Sequence, residues 1–350
     1  MQILFSTKKR GILWEVETLL FSQFGEARSL AADLCFCVAS AKAGVPVLLV
    51  APPSGGKSTV IMGVEAWLKL RGEMTQRVSR IGLKTLKVLT DRLNVERKAT
   101  LLNEDYALIG SSDYMVEKMG EIIAALSYAH TYQDLGLKID VTVERVGFIS
   151  GIQPYWLSFM VQNPVFATHL REKFIRYYML PMSITQDVDD TVAIKLIAKT
   201  LKFEVRAVND AIPDDFMTSL TLQVGDTRAK RFSRAIANQM SFLSKTEDFE
   251  RLMHFYAKRL AFEAHIMDRE LGENTYTMRS YWQEYTVLYW LLRCGAMTRE
   301  QIAIRLGVTS TRSVDLAIGK AFNKQWITSY WNGDHKYYCV ASDIKRRFMI

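Results

Sequence analysis

The sequence predicts an α/β fold: a parallel sheet covered by helices, then a helical lid, then a small helix-and-hairpin module at the carboxyl end. Three observations predict it. Short apolar runs alternate with stretches of helical spacing through the first half of the chain. Residues 183–272 keep the helical spacing and lose the apolar runs. Residues 276–350 hold short helical patterns followed by two strand-like runs joined through Asn332-Gly333-Asp334, and Asn-Gly between such runs is the best short-range hairpin signal. The expected divisions are 1–182, 183–275 and 276–350, with the turn-rich stretch 271–275 as the clearest boundary.

Taken in order, residues 12–24 and 26–43 space apolar side chains three and four apart, with Ala31, Ala32, Ala39 and Ser40 small enough for close helix packing. The run 45–50 (VPVLLV) reads as a short buried strand, Pro46 being tolerable near its start. Directly after it comes the most informative stretch of the chain: Ala51-Pro52-Pro53-Ser54-Gly55-Gly56-Lys57-Ser58-Thr59. It matches G-x-x-x-x-G-K-[ST] except for Ala51 at the first position, where a small side chain still makes the turn. Residues 59–70 continue as a helix that stops at Arg71-Gly72. A strand, a glycine-bearing loop and a helix opened by Gly-Lys-Ser form a cradle for a triphosphate. Backbone amides and the helix amino end face the phosphates, the lysine bridges the terminal ones, and the hydroxyl holds Mg²⁺. Pro53, Ser54, Gly55, Gly56, Lys57, Ser58 and Thr59 are the expected ATP-binding set.

Further helices are expected at 82–91 and 113–130, and strands at 99–102 and 145–150. A helical region spans 154–176, broken at Pro164, and a last strand spans 177–180. The acids Glu104 and Asp105 end the second strand, behind Asn103. There a hydrolytic site needs one carboxylate for Mg²⁺ and one to order the attacking water. The two roles are shared between Glu104 and Asp105 without assignment, and Asp113 is the fallback. Ser150 and Gln153 end the next strand as candidates for contact with the γ-phosphate or the water. Arg171 or Arg176, ahead of the last strand, is the candidate finger for a neighbouring subunit's site. Arg228, Arg231 and Arg234 in the lid are candidate nucleotide sensors.

In the carboxyl-terminal part a helix is expected at 280–293. A short one over 298–307 has a threonine cap and a glycine stop, and another spans 310–324. Strands at 326–331 and 336–340 complete it. The last 72 residues carry eleven Lys/Arg against five Asp/Glu, so six of the eight net positive charges lie there. That concentration suits contact with a polyanion. Ser310, Thr311, Arg312, Lys320 and Lys324 on the second helix, and Lys336 at the hairpin, are the expected DNA contacts.

Composition excludes several classes. Four scattered cysteines imply neither a disulfide framework nor a zinc site, and the five histidines form no H-x-x-x-H pair. The longest apolar runs fall far short of the roughly 20 residues of a bilayer span. A soluble, cytoplasmic or nucleoid-associated protein with no membrane partner is expected.

These residues together resemble the AAA+ branch of the P-loop ATPases over roughly residues 25–270. With a winged helix-turn-helix at the carboxyl end, the layout is similar to replication-initiator, origin-recognition and helicase-loader ATPases. The turn at Ser150-Gly151-Ile152-Gln153-Pro154 also looks like one in helicase-type ATPases of viruses and mobile elements. The resemblance implies Mg²⁺-dependent ATP hydrolysis, a homo-oligomer such as a hexameric ring, and DNA as partner. An ATP-gated switch or transcription regulator is the alternative. Ala51, the inverted order of the acidic pair and the lack of one clearly marked finger arginine depart from the family pattern.

Overall fold

The computed structural model describes residues 28–160, 170–179, 212–240, 246–263 and 281–348. Helix α1 (Arg28–Ala43) leads into strand β1 (Pro46–Val50), all five residues of which are buried. Helix α2 (Lys57–Leu70), the short strand β2 (Thr75–Arg77) and α3 (Leu83–Glu96) come after it. Next are β3 (Lys98–Asn103), α4 (Asp113–Tyr128) and a hairpin of β4 (Thr131–Asp134) with β5 (Ile139–Thr142). Strand β6 (Arg145–Ile152), helix α5 (Pro154–Met160), a single 3-10 turn at Arg171–Lys173 and strand β7 (Ile175–Tyr178) complete this half.

Five of these strands form one parallel sheet in the order β2-β3-β6-β1-β7. The connection leaving β1 runs to the β2 edge, and the connection leaving β6 runs the other way to β7. In such sheets the crevice outside the carboxyl ends of the strands, where connections diverge, is where ligands sit. The three residues that end β1, β3 and β6 (Val50, Asn103 and Ile152) therefore mark the place to look. Strand β3 is separated from β1 by β6, which puts the acidic turn after Asn103 across a cleft from the loop after Val50.

Helices α6 (Asp214–Val224), α7 (Asp226–Met240) and α8 (Thr246–Leu260) pack against this half; α7 lies on α1, and α8 on β7. Strand β7 is a sheet edge, and its outward backbone groups need partners. Gln223 of α6 supplies them. Its carbonyl accepts from the Arg176 amide at 2.7 Å, and its NH₂ donates to the Arg176 carbonyl at 2.8 Å. A side-chain amide thus replaces a neighbouring strand.

The last described segment runs α9 (Tyr281–Cys294), β8 (Met297–Thr298), α10 (Arg299–Leu306), α11 (Thr311–Asn323), β9 (Ile327–Asn332), β10 (His335–Val340) and α12 (Ser342–Phe348). Strands order as β8-β10-β9, antiparallel, and the β9–β10 turn brings His335 opposite Asn332. Thr298 caps α10 in a capping box with Gln301, and Gly307 ends it in the left-handed conformation.

Several elements differ from expectation. The helix expected over 154–176 is α5 and then, past residues that are not described, one 3-10 turn, and residues 175 and 176 lie in β7. The strand is a fully buried run, Phe174 to Met179, which periodicity does not distinguish from a buried helix. Of the long helix expected from 226 to 271, the described residues hold α7 (Asp226–Met240) and α8 (Thr246–Leu260), and residues 241–245 and 264–271 lie outside them. Strand β2 and the β4–β5 hairpin had no sequence expectation. The helices expected at 12–24 and 187–201, the break at Pro164 and the boundaries at 183 and 276 lie outside the described residues. No described helix is long and apolar enough to cross a membrane.

Arg176 is the largest consequence of the strand assignment. It is 1 % exposed, its Nε donates to Glu263 at 2.7 Å, and its Nη1 donates to the Arg171 carbonyl at 2.7 Å. Removing one partner of such a pair leaves a bare buried charge. Glu263→Ala should therefore destabilise the fold by about 3–5 kcal/mol. Urea unfolding of the two proteins checks this, with a larger midpoint loss than for the exposed pair variant Glu172→Ala.

Candidate functional site

The loop between β1 and α2 alternates in handedness. Ser54 has φ +57, Gly56 has φ +85, and Gly55 between them has no positive φ. Alternation of this kind turns successive N–H groups toward one point and forms an anion-binding concavity. Gly56 is also the residue ahead of α2, and no side chain caps that helix. The amino end of this 14-residue helix is thus positively polarised with no capping side chain across it.

Lys57 opens α2 and is 8 % exposed. Its Nζ donates to the Ala51 and Pro52 carbonyls, each at 2.7 Å. The ammonium is folded back onto its own loop, bracing the turn it springs from. Burial drives its pKa from the usual lysine range down to about 8, and the nearby Asp105 charge works in the opposite direction. Asp105 is half-buried; burial raises its carboxyl above the usual range, while the Ala107 amide, Lys57 and Gln153 pull it down. Its Oδ1 accepts from Ala107 N at 3.2 Å and its Oδ2 from Gln153 Nε2 at 3.2 Å.

Pro53, Ser54, Lys57, Ser58, Arg77, Arg80, Asn103, Glu104, Asp105 and Gln153 all line one cleft of about 580 Å³. A cleft of this size suits a nucleotide-sized ligand. Ser58, Glu104 and Asp105 together give it an all-oxygen donor set. That is the hard-ligand chemistry Mg²⁺ takes, with room for water and phosphate oxygens to complete the shell.

The two acids occupy different surroundings. Asp105 faces Lys57, whereas Glu104 is half exposed at the cleft lip and ion-paired to Arg77 Nη1 at 2.6 Å. Arg77 ends β2 and simultaneously holds Glu65 of α2 at 2.8 Å. Behind them Asn103 is buried. Its Oδ1 accepts from Ser150 Oγ at 2.9 Å, and its NH₂ donates to the Val78 carbonyl. Arg77, Arg80 and Asn103 carried no assignment from sequence. Asn103 stood beside the acids, and the arginines sit on or just after a strand too short and polar to be recognised.

Other expected residues fall elsewhere. Ser150 is fully buried and spends its hydroxyl on Asn103 and the Gly151 carbonyl at 3.1 Å, so it steadies the ends of β3 and β6 from beneath the cleft. Gly55, Gly56 and Thr59 shape the loop and first helical turn. Arg171 and Arg176 do not line the cleft, and Arg176, buried against Glu263, cannot serve as an exposed finger. Arg228 pairs with Glu172 at 3.2 Å, and Arg231 donates to the Tyr128 carbonyl at 2.6 Å. Neither of these two lid arginines lines the cleft. Arg234 is exposed on α7.

In the carboxyl-terminal module Ser310, Thr311, Arg312 and Lys336 are exposed. Lys320 turns inward to the buried Glu284 of α9 at 3.6 Å, and Lys324 lies over the Trp326 ring at 4.9 Å. Each of these two lysines thus has a partner within the module, and Lys320 keeps 43 % of its side chain exposed. Tyr330 and Tyr337 stack near the hairpin tip at 5.7 Å, and Trp331 is 69 % exposed beside them.

No protein-family model matches the chain, and no curated protein matches it. Among solved structures the chain is similar to NtrX from Brucella abortus, with a TM-score of 0.32 and 14% identity over 82% of this chain. The match spans 66% of that protein's chain, just under two thirds. A fold relation is not established at that score.

With its pKa lowered to about 8 by burial, Lys57 loses its charge as pH rises through that value. An anion at the loop must raise that pKa and draw in a proton. Binding of an anion at the loop, with ATP or pyrophosphate as the probe, should therefore weaken between pH 7 and pH 9, with net proton uptake near pH 8. Calorimetric titrations in buffers of different ionisation enthalpy measure both.

Proposed function

We propose that the chain is a Mg²⁺-dependent ATP-binding and ATP-hydrolysing protein of the AAA+ type that acts on DNA through its carboxyl-terminal module. One observation carries the nucleotide half. An uncapped helix amino end, an alternating loop and the Lys57 ammonium converge on a cleft whose other wall presents Glu104 and Asp105. Strand order supports it too, since an extra strand separates the loop strand from the acidic strand and leaves space for a polyphosphate between them.

In this reading the loop amides and Lys57 hold the phosphates. Lys57 exchanges the Ala51 and Pro52 carbonyls for the terminal phosphate. Ser58 and Asp105 offer oxygens to the metal, which supplies charge neutralisation on the phosphates. Glu104, on the lip, orients the attacking water once it leaves Arg77. Gln153 fixes Asp105 in place. A finger from a second subunit, if the protein works as a ring, comes from Arg171 or from an exposed arginine rather than Arg176.

The DNA half rests on the order α9, α10, turn, α11, β9–β10 hairpin, which we read as a winged helix-turn-helix. Its second helix would enter the major groove with Ser310, Thr311 and Arg312 leading, and the hairpin would rest on the flanking backbone through Lys336. A slower, switch-like protein is the second reading, and the Glu104–Arg77 ion pair favours it, because a base held in a salt bridge orients no water. ATPase rates with and without duplex separate the two: strong stimulation marks the motor, and slow, DNA-indifferent turnover marks the switch.

Lys57→Ala should abolish ATP binding with the far-ultraviolet circular dichroism unchanged; ATP uptake equal to that of the parent protein removes the site. Replacing Arg312 or Lys336 with alanine should lower the slope of log affinity against log salt by about 0.9 each. Lys320→Ala should leave that slope alone. Fluorescence anisotropy of a labelled duplex across a salt series reads these slopes.

A further inference from the structure

A loop whose amides converge on a ligand must point its carbonyls outward, and buried carbonyls need donors. Lys57 serves those of Ala51 and Pro52. Those of Val50, Ser54 and Gly55 are reached from far along the chain by one helix. Tyr285 Oη reaches the Val50 carbonyl at 3.1 Å and the Met179 carbonyl at 2.9 Å. Tyr289 Oη donates to the Gly55 carbonyl at 2.7 Å, and Arg293 Nη1 donates to the Ser54 carbonyl. These three residues stand at positions i, i+4 and i+8 of α9, one face of a helix rising about 6 Å per step. The fit is close. A Cβ on Gly55 would lie 2.8 Å from Tyr289 Oη, so the loop has no side chain where the tyrosine arrives.

The same helix grips the carboxyl-terminal module. Glu284 pairs with Lys320 of α11, and Trp290 lies between the Arg293 and Arg305 guanidinium groups at 5.2 and 4.6 Å. Arg305 belongs to α10 and Arg293 to the ladder on the loop. One indole thus links the hairpin module to the main chain of the nucleotide cradle.

We propose that Tyr289 and Arg293 are positioning residues of the nucleotide site, supplied by the carboxyl-terminal module, and that ATP occupancy and the seating of that module are reciprocally coupled through α9. This rests on the reading of the cleft as an ATP site. The hydroxyl and guanidinium hold Ser54 and Gly55 in the alternating geometry that aims their amides inward. Whatever ligand tightens that geometry tightens the hold on α9, and whatever pulls α9 away loosens the ligand by the same factor.

The test uses the full chain. Tyr289→Phe combined with Arg293→Gln should weaken Mg²⁺-ATP binding at least tenfold, while Tyr289→Phe with Arg293→Lys recovers most of the loss. Tyr289→Phe alone, which removes one oxygen and one donor to the Gly55 carbonyl, should fall between, and its loss of affinity should exceed what its lower thermal midpoint without nucleotide accounts for. Reciprocally, Mg²⁺-ATP should slow hydrogen exchange of the α11 amides in the parent protein and not in the double variant. Parental affinity in the double variant, or α11 exchange indifferent to ATP in the parent, overturns the coupling. No ATP binding by the parent protein overturns the nucleotide reading itself and this inference with it.

Discussion

Every peptide unit that turns its N–H toward a bound anion turns its C=O the other way. In this protein that constraint organises more than the loop. The outward carbonyls of Val50, Ala51, Pro52, Ser54 and Gly55 are met by Tyr285, Lys57, Arg293 and Tyr289. A sheet strand, a loop lysine and a helix more than 230 residues away thus share one small piece of backbone. Tyr285, Tyr289 and Arg293 hold the cradle from outside, as donors that never need to touch a ligand.

Burial sets the chemistry of the charged groups around it. Lys57 gives up part of its basicity to sit inside the loop, and Asp105 gives up part of its acidity to face it. Glu104, a single residue earlier, stays at the lip and pairs with Arg77. Two neighbouring carboxylates thereby acquire different surroundings, which is how adjacent acids come to take different roles. At the other sheet edge, Arg176 and Glu263 spend their charges on each other, and Gln223 covers the strand.

Features whose cause is local were legible in the sequence. Gly56-Lys57-Ser58 marks the loop because glycine takes the left-handed bend and the lysine must open the helix. Thr298 with Gln301 and Gly307 bounds α10 for equally short-range reasons, and Asn332-Gly333 marks the hairpin. The acids Glu104 and Asp105 were found because a strand end delivers them to the cleft. What stayed hidden depends on partners remote in the chain. Nothing near Arg176 announces Glu263, 87 residues on, so a buried structural arginine read as an exposed finger. The partners of Lys320 and Lys324, Glu284 and Trp326, reach them only in the folded state. Tyr285, Tyr289 and Arg293 looked like an ordinary helix face, and β2 was too short and polar to show as a strand. The expected separation of an ATPase part from a carboxyl-terminal part also assumed that α9 served only the latter.

A crystal structure with a non-hydrolysable ATP analogue and Mg²⁺ tests the central claim most directly. The account predicts the analogue's phosphates against the amides of residues 54–58, Lys57 Nζ moved from the Ala51 and Pro52 carbonyls to the terminal phosphate, and the Tyr289 and Arg293 contacts retained. An analogue bound elsewhere, or Lys57 still folded onto its own loop beneath a bound nucleotide, would contradict it.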